Sequence, residues 1–174
     1  LHIRDGSITG GNVSLSDGVG FTFVASTVAT FTDVQVNGEL VVNNTASSLD
    51  LHLLGTTRFT RLTVRASTVE VFFPSNGTIF DEIVVDTAVG ATGNATLRPS
   101  AAASSLTIAA SGIVRVAATS SRGVSFGVTN TQPLINNGLV EILAPVSNTA
   151  YALVTNSGTL TLAAGSLNLV RGIE

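Results

Sequence analysis

The stretch Tyr151–Val170, YALVTNSGTLTLAAGSLNLV, contains two short runs in which apolar and polar residues alternate. Gly158 comes directly before one run, and Gly165 comes directly before the other. Side chains that alternate with a period of two point to opposite faces of a β-strand, so the leucines of each run would share one face. The stretch therefore predicts two short strands joined by a tight turn.

A local unit of Asn or Ser, then Gly, then alternating apolar residues occurs five times in the chain. Its members are Asn37-Gly38, Asn76-Gly77, Ser111-Gly112, Asn137-Gly138 and Ser157-Gly158. The glycines are 39, 35, 26 and 20 residues apart. About 20–26 residues suit one turn of a β-solenoid, and we interpret the two larger spacings as one long turn or two short ones. Glycine is expected at such corners because it adopts positive φ at little cost.

The composition is apolar and poor in charged and aromatic residues. Hydrophobic residues make up 44% of the 174 residues and charged residues only 11%, so Val, Leu, Ile and Ala must form the core. The net charge is −3, which gives no basic stripe for nucleic acid or an anionic membrane. The absence of cysteine excludes disulfides and thiolate metal sites. No apolar run approaches the roughly 18 residues of a membrane span, and we expect no cofactor.

These patterns predict an all-β fold, a single-stranded parallel β-helix or β-solenoid. We expect one domain over residues 1–174, with roughly six to eight irregular rungs. The alternative is a β-sandwich or jelly roll, because Asn-Gly between alternating strands also indicates hairpins. The solenoid is favoured because the apolar runs are very short and the outward positions are Thr, Ser and Asn, which suit ladders of like residues.

This pattern of short strands, glycine corners and polar outward positions resembles the right-handed parallel β-helix of the pectin-lyase-like class. The resemblance covers most of the chain, but the Asn-Thr-Asp and Gly-Asp-Asp motifs of the class's hydrolases are absent. It implies a right-handed coil of the kind found in extracellular adhesins, autotransporter passengers and polysaccharide-active enzymes.

The ionisable residues show no clear catalytic pattern. Asp81 and Glu82 are the one adjacent acidic pair, and in a strand their side chains would point to opposite faces. We therefore interpret them as solvated turn charges and not as a general acid and base. Asp50 and Asp86 are isolated in the sequence. The chain is accordingly predicted not to be an enzyme.

Histidines and arginines are also interpreted as surface residues. His2 and His52 are the two histidines, and His52 stands between leucines, so it is expected to face outward and not to bind metal. In a regular strand Arg61 and Arg65 would share one face and Arg58 would take the other. The three arginines are solvated, pair with acids on a neighbouring rung, or contact a small anion or glycan.

Four Asn-x-Ser/Thr sequons are candidate N-glycosylation sites: Asn12, Asn43, Asn76 and Asn94. Asn76 and Asn94 are the better candidates because their sequence contexts indicate a turn and a loop. Glycans are therefore expected partners or modifications of the chain.

The predicted function is that of a non-enzymatic structural module of an adhesin, coat or filament, located outside the cell or at its surface. The chain begins at Leu1 without Met or a signal-like segment, so we expect a piece of something longer. Its strand pattern continues to Val170, and we expect the last rung to be covered by the rest of a longer chain or by copies stacked end to end. The alternatives are a carbohydrate-binding or polysaccharide-active β-helix and, through the pair Thr159 and Thr161, an ice-binding protein.

Overall fold

The computed structural model describes residues 2–3, 6–15, 21–23, 27–44, 48–65, 68–87 and 93–174. Within these ranges the regular structure consists of short β-strands, without a helix. The first eleven strands are β1 (His2–Ile3), β2 (Gly6–Thr9), β3 (Asn12–Ser14), β4 (Phe21–Phe23), β5 (Thr27–Thr32), β6 (Gln35–Asn44), β7 (Leu49–Leu54), β8 (Arg58–Val64), β9 (Val69–Phe73), β10 (Gly77–Ile79) and β11 (Glu82–Val85). The remaining strands are β12 (Ala95–Pro99), β13 (Leu106–Ile108), β14 (Ile113–Val116), β15 (Val124–Phe126), β16 (Leu134–Asn136), β17 (Leu139–Ile142), β18 (Ser147–Ala150), β19 (Val154–Asn156), β20 (Thr159–Leu162) and β21 (Ser166–Leu169).

The strands stack into three parallel sheets. Sheet A has the order β1-β4-β6-β8-β11-β14-β17-β20, with β3 also paired to β6, and sheet B has the order β2-β5-β7-β9-β12-β15-β18-β21. Sheet C has the order β10-β13-β16-β19. Successive strands of each sheet come from successive rungs, which confirms a parallel β-solenoid, here of about six turns. The sandwich and jelly roll are excluded, because their strands pair antiparallel. The hand of the coil and the single-domain extent stay predictions.

The cross-section of the rung changes along the coil. Up to β8, the described rungs contain strands of sheets A and B, and β6 and β8 are long. From β9 onward the chain bends once more before it returns to sheet A, and each rung gains a strand of sheet C. We call the boundary between β8 and β10 the step.

Inward side chains from successive rungs stack into apolar columns. In sheet A, one column is buried throughout, with exposures of 0–2%, and fully burying such a side chain contributes about 1.5–3 kcal/mol. Its members are Leu40, Leu62, Ile83, Val114 and Val140. The period-two pattern in the sequence therefore predicted the core correctly, and aliphatic side chains fill the narrow space between the sheets.

Three glycines of the repeated unit form a column at the corner between sheets C and A. Gly112, Gly138 and Gly158 each precede a sheet A strand. A Cβ on Gly138 would lie 2.3 Å from the carbonyl oxygen of Gly112, and one on Gly158 would lie 2.2 Å from that of Gly138. None of the three has a positive φ, so the expectation that glycine is needed at these corners for its backbone conformation is wrong. Glycine is needed because the backbones of neighbouring rungs touch.

The spacing of the repeated unit follows the rungs only after the step. Val140 pairs with Val114 and with Leu160, which gives rungs of 26 and 20 residues, equal to the glycine spacings. Gly77, in contrast, begins a strand of sheet C, and Gly38 lies inside β6. The spacings of 39 and 35 residues therefore join glycines at different positions of the rung, so they do not give the length of a rung.

The last described rung has the core pattern but lacks a cover. Leu160 occupies the same column as Val140, yet Leu160 is only half-buried while Val140 is 2% exposed. Leu162 and Val170 are 49% and 50% exposed. Strands β20 and β21 thus present apolar side chains and an unpaired edge together.

Residues 172–174 begin a further strand of sheet C. Ile173 forms a parallel bridge with Val154, and the N–H of Glu174 donates to the Val154 carbonyl at 2.8 Å. The N–H of Asn156 donates to the Glu174 carbonyl at 2.9 Å. The coil therefore continues past β21 in the same register.

Candidate functional site

A ladder of ion pairs lies on the outer face of sheet A. Each pair joins an arginine of β8, or the residue after it, to an acid of the next rung at β11. Of the three interpretations of these arginines, the structure shows pairing with acids on the neighbouring rung. The pairs and their N–O distances are Arg58–Asp81 (2.6 Å), Arg61–Glu82 (2.6 Å) and Arg65–Asp86 (3.8 Å).

Arg58 and Arg61 point to the same outer face, which corrects the expectation that Arg58 takes the opposite one. The alternation of β8 is interrupted because Thr60 and Arg61 are both exposed, and β6 shows a register shift opposite them. Such irregularities re-aim the side chains that follow. Asp81 lies just before β11, so Asp81 and Glu82 also reach this face together.

Arg115 extends the ladder over two more rungs. Its guanidinium contacts Glu82 on one side and lies 2.6 Å from Glu141 on the other, so the network Arg61–Glu82–Arg115–Glu141 spans four strands. The hydrogen bond to Glu141, helped by the charge of Glu82, raises the pKa of Arg115. The hydrogen bond to Asp81 likewise raises the pKa of Arg58. These contacts tie successive rungs together.

An aromatic and charged column lies on the outer face of sheet B. The rings of His52 and Phe72, which are register partners, stack with centroids 4.3 Å apart and planes 2° apart. Arg98 covers the other side of Phe72, with its guanidinium carbon 4.4 Å from the ring centroid. Its Nε lies 2.8 Å from Glu70. The outward position of His52 is confirmed, but its stacking on Phe72 was not predicted from the sequence.

Asp50 is not isolated, because it is the register partner of Glu70 on the next rung. Neighbouring strands lie about 4.8 Å apart, so two carboxylates stand on adjacent rungs of one face. Asp86 is not isolated either: it contacts Arg65 and accepts a hydrogen bond from Thr119 at 2.7 Å. We call the group on sheet B the sheet B patch; its members are Asp50, His52, Glu70, Phe72 and Arg98.

A cleft of about 360 Å³ lies at the step. Its floor is apolar and buried: Leu53, Phe59, Phe73 and Ile79 are at most 5% exposed. Phe80 stands at the rim and is 44% exposed. A volume of this size lies within the range of ligand-binding pockets. Nothing in the sequence indicated this cleft, because it arises from the change in cross-section between rungs.

The four sequon asparagines differ in how free their side chains are. Asn12, Asn43 and Asn76 are exposed. Asn94 is half-buried: its Oδ1 accepts from the N–H of Gly123 at 3.2 Å, and its Nδ2 donates to a carbonyl of β18 at 3.3 Å. A glycan on Nδ2 would break the second bond. All four sites stay predictions, and this geometry favours the three exposed residues over Asn94.

The Thr-x-Thr pair of β20 does not extend to the neighbouring rung. Thr159 is the register partner of Leu139, and Thr161 is the register partner of Glu141. A flat array of threonines is therefore not formed at this place, and the geometry does not favour ice binding.

Comparison of the chain with protein-family models, curated proteins and solved structures finds no match. The parallel β-solenoid is thus the part of the resemblance that the structure supports. In the described part of the chain, no helix is long and apolar enough to cross a bilayer, and no three His, Asp or Glu residues are grouped to hold a metal ion. The side chain of His2 lies outside the described part.

Proposed function

We propose that the chain is a non-enzymatic structural module of an extracellular or cell-surface adhesin, coat or filament, with the right-handed coil of the pectin-lyase-like class. In this role a further rung, from the rest of a longer chain or from another copy, covers the β19–β21 end. Glycans on exposed asparagines such as Asn12 belong to the same proposal.

The observation that carries the proposal is the uncovered rung. Leu160 and Leu162 continue columns that are fully buried one rung earlier, and an apolar, unpaired parallel edge is a surface that natural proteins protect. The start of a new strand at Ile173 supports the same conclusion. A rung of this kind needs a neighbour on both sides.

The outer faces support a scaffold role. On sheet A, ion pairs link the rungs from β8 to β17, and on sheet C the outward residues Thr78 and Thr107 are register partners. Stacked ladders of this kind stiffen a rod and give it a polar surface.

Sedimentation velocity of the chain at low and high micromolar concentrations tests the proposal. We expect association that increases with concentration, because the open end is apolar. Leu162→Lys places a charge where the next rung would pack and should give monomers. Val128→Lys, at a loop residue that is 36% exposed, is the matched control and should associate like the wild type. Monomers at every concentration, or equal association of the Leu162→Lys variant, would contradict it.

The sheet B patch supports a second candidate, a carbohydrate-binding surface. The half-buried His52 ring, beside carboxylates and a guanidinium, offers both apolar contact and hydrogen bonds to sugar hydroxyls. We expect Asp50→Asn and His52→Ala to weaken saccharide binding in calorimetry, while Glu82→Gln on sheet A leaves it unchanged. Polysaccharide incubated with the wild type should not be cleaved. Absence of saccharide binding by the wild type would rule this candidate out.

A further inference from the structure

We propose that the cleft at the step binds an extended, uncharged peptide segment of a partner protein, which pairs with the open edge of β10. The proposal rests on the backbone groups, the apolar floor and the charge balance of the cleft, and it does not depend on the module being structural.

One edge of β10 has no strand of the described ranges beside it. In the described part of the chain, β10 pairs with β13 alone. The Ile79 carbonyl accepts from the N–H of Ala109 at 2.9 Å, so the backbone groups of Ile79 point to β13. Because these groups alternate along a strand, the N–H and carbonyl of Thr78 point the other way, and Thr78 lines the cleft. Such an edge is a template for strand addition.

The opposite wall of the cleft is separate from β10. Strand β8 pairs with β11 only from Arg61 onward, so its first residues are not joined to the next rung by a ladder. The N–H of Phe59 instead donates to the Asp81 carboxylate at 3.4 Å. A segment that lies along β10 therefore competes with no strand that the structure describes, and three extended residues, at about 3.3 Å each, match its length.

The floor selects an apolar side chain. Phe59 and Ile79 lie at the bottom of the cleft, and Phe80 covers one side of the entrance. Side chains of an added strand alternate between floor and solvent. The geometry therefore suits a segment with an apolar residue between two polar ones.

The charge of the lining selects an uncharged segment. Arg58 and Asp81 are the charged residues among those that line the cleft, and they bind each other at 2.6 Å. Arg58 also lies over the ring of Phe80, with its guanidinium carbon 4.8 Å from the centroid. The pair is balanced, so a charged side chain of the ligand would lose its water without gaining a partner.

Two hydroxyls that a sugar could use are already engaged. The Thr56 hydroxyl donates to Asp33 at 3.0 Å, and the Thr57 hydroxyl donates to the Leu54 carbonyl at 2.7 Å. The backbone of Thr78 remains, and backbone pairing recognises peptide amides. This favours a peptide over a saccharide.

The test compares Thr78→Pro with Thr78→Ala in unglycosylated protein. Proline removes the outward N–H and is tolerated on strand edges, whereas alanine removes only the hydroxyl. The probe is the peptide acetyl-Thr-Val-Thr-Val-Thr-amide, titrated by calorimetry. We expect Thr78→Ala to bind within about twofold of the wild type and Thr78→Pro about tenfold more weakly, since the backbone hydrogen bond from the N–H of residue 78 is lost. In one register the central threonine of the peptide donates its N–H to the Thr78 carbonyl, and in the other register a neighbouring valine does so. N-methylation of the donating residue should weaken binding by a similar factor.

Phe80→Ala keeps the test independent of any effect of proline on folding. Phe80 is at the rim, so its removal should leave the circular dichroism spectrum unchanged, lower the thermal midpoint only slightly through the lost contact with Arg58, and weaken peptide binding about fivefold. Failure of the wild type to bind the peptide saturably overturns the proposal, as does wild-type affinity in both Thr78→Pro and Phe80→Ala. Binding of a neutral oligosaccharide that Thr78→Ala abolishes overturns it in favour of a sugar site.

Discussion

At the scale of single residues, the corner positions require glycine because the backbone of the preceding rung leaves no space for a Cβ. A Cβ on Gly138 would lie 2.3 Å from the carbonyl oxygens of both Ala109 and Gly112. Backbone atoms in a stacked corner cannot move without shifting a whole rung. We therefore expect Gly138→Ala to lower the free energy of unfolding by about 2–3 kcal/mol in urea denaturation, the size of an overpacking effect.

Gly6→Ala is the matched control for this change. No heavy atom lies within 4 Å of a Cβ at Gly6, and its φ is not positive. Its free energy of unfolding should stay within about 0.5 kcal/mol of the wild type. Equal effects of the two substitutions would show that contact with the neighbouring rung does not determine the corner.

Asp33 gives the stability of the fold a dependence on acid pH. Its carboxylate accepts the N–H of Thr56 at 2.9 Å and the Thr56 hydroxyl at 3.0 Å, and these bonds lower the pKa of Asp33. A lowered folded-state pKa gives stabilisation that is complete above the unfolded value of about 3.9 and is lost as the pH falls through the folded value.

Asp33→Asn tests this dependence, because Asn tolerates the positive φ of 56° but does not titrate. Between about pH 7 and about pH 3, the urea midpoint of the wild type should fall further than that of the variant. Parallel decreases in the two proteins would contradict the assignment.

At the scale of strands, the ion ladder of sheet A is a network and not a set of isolated pairs. Arg115 contacts both Glu82 and Glu141, and its side chain is 31% exposed. We expect Arg115→Ala to cost about 1 kcal/mol of unfolding free energy at low salt and less at about 1 M salt, because salt screens exposed pairs. Arg171→Ala changes the net charge equally at an exposed position and should have little effect. A loss that is insensitive to salt would assign the effect of Arg115 to packing.

The sequence predicts the strands better than the contacts between them. Alternation gave the buried positions of β7 and β17, since it depends on one strand alone. Register depends on rung length, which is 31 residues between Ile83 and Val114 but 20 between Val140 and Leu160. With irregular rungs, neither the stacking of His52 on Phe72 nor the step can be derived from spacing. The orientation expected for Arg58 is wrong for a related reason, because nothing in the sequence indicates the irregularity of β8.

At the scale of the whole molecule, each rung packs chiefly against its neighbours, so stability should fall towards the uncovered end. The amides of Leu139 and Thr159 make equivalent bonds, to the carbonyls of Gly112 and Gly138 at 3.0 and 2.8 Å. In hydrogen exchange of dilute protein, we expect Leu139 to be at least about tenfold more protected than Thr159, because Thr159 is released when the last rung opens. Equal protection would show that the end is as stable as the interior.

The step also determines how many copies of this chain can associate. Described rungs before it have two sides, and those after it have three. A copy joined head to tail would set a two-sided face on a three-sided one and leave the sheet C edge, which residues 172–174 form beside β19, without a partner. Two copies that meet through their C-terminal ends, related by a two-fold axis, set one three-sided face on another, and such an isologous contact is closed. Copies of this chain alone would therefore stop at symmetric pairs, and a continuous fibre would require additional rungs with a three-sided face at both ends.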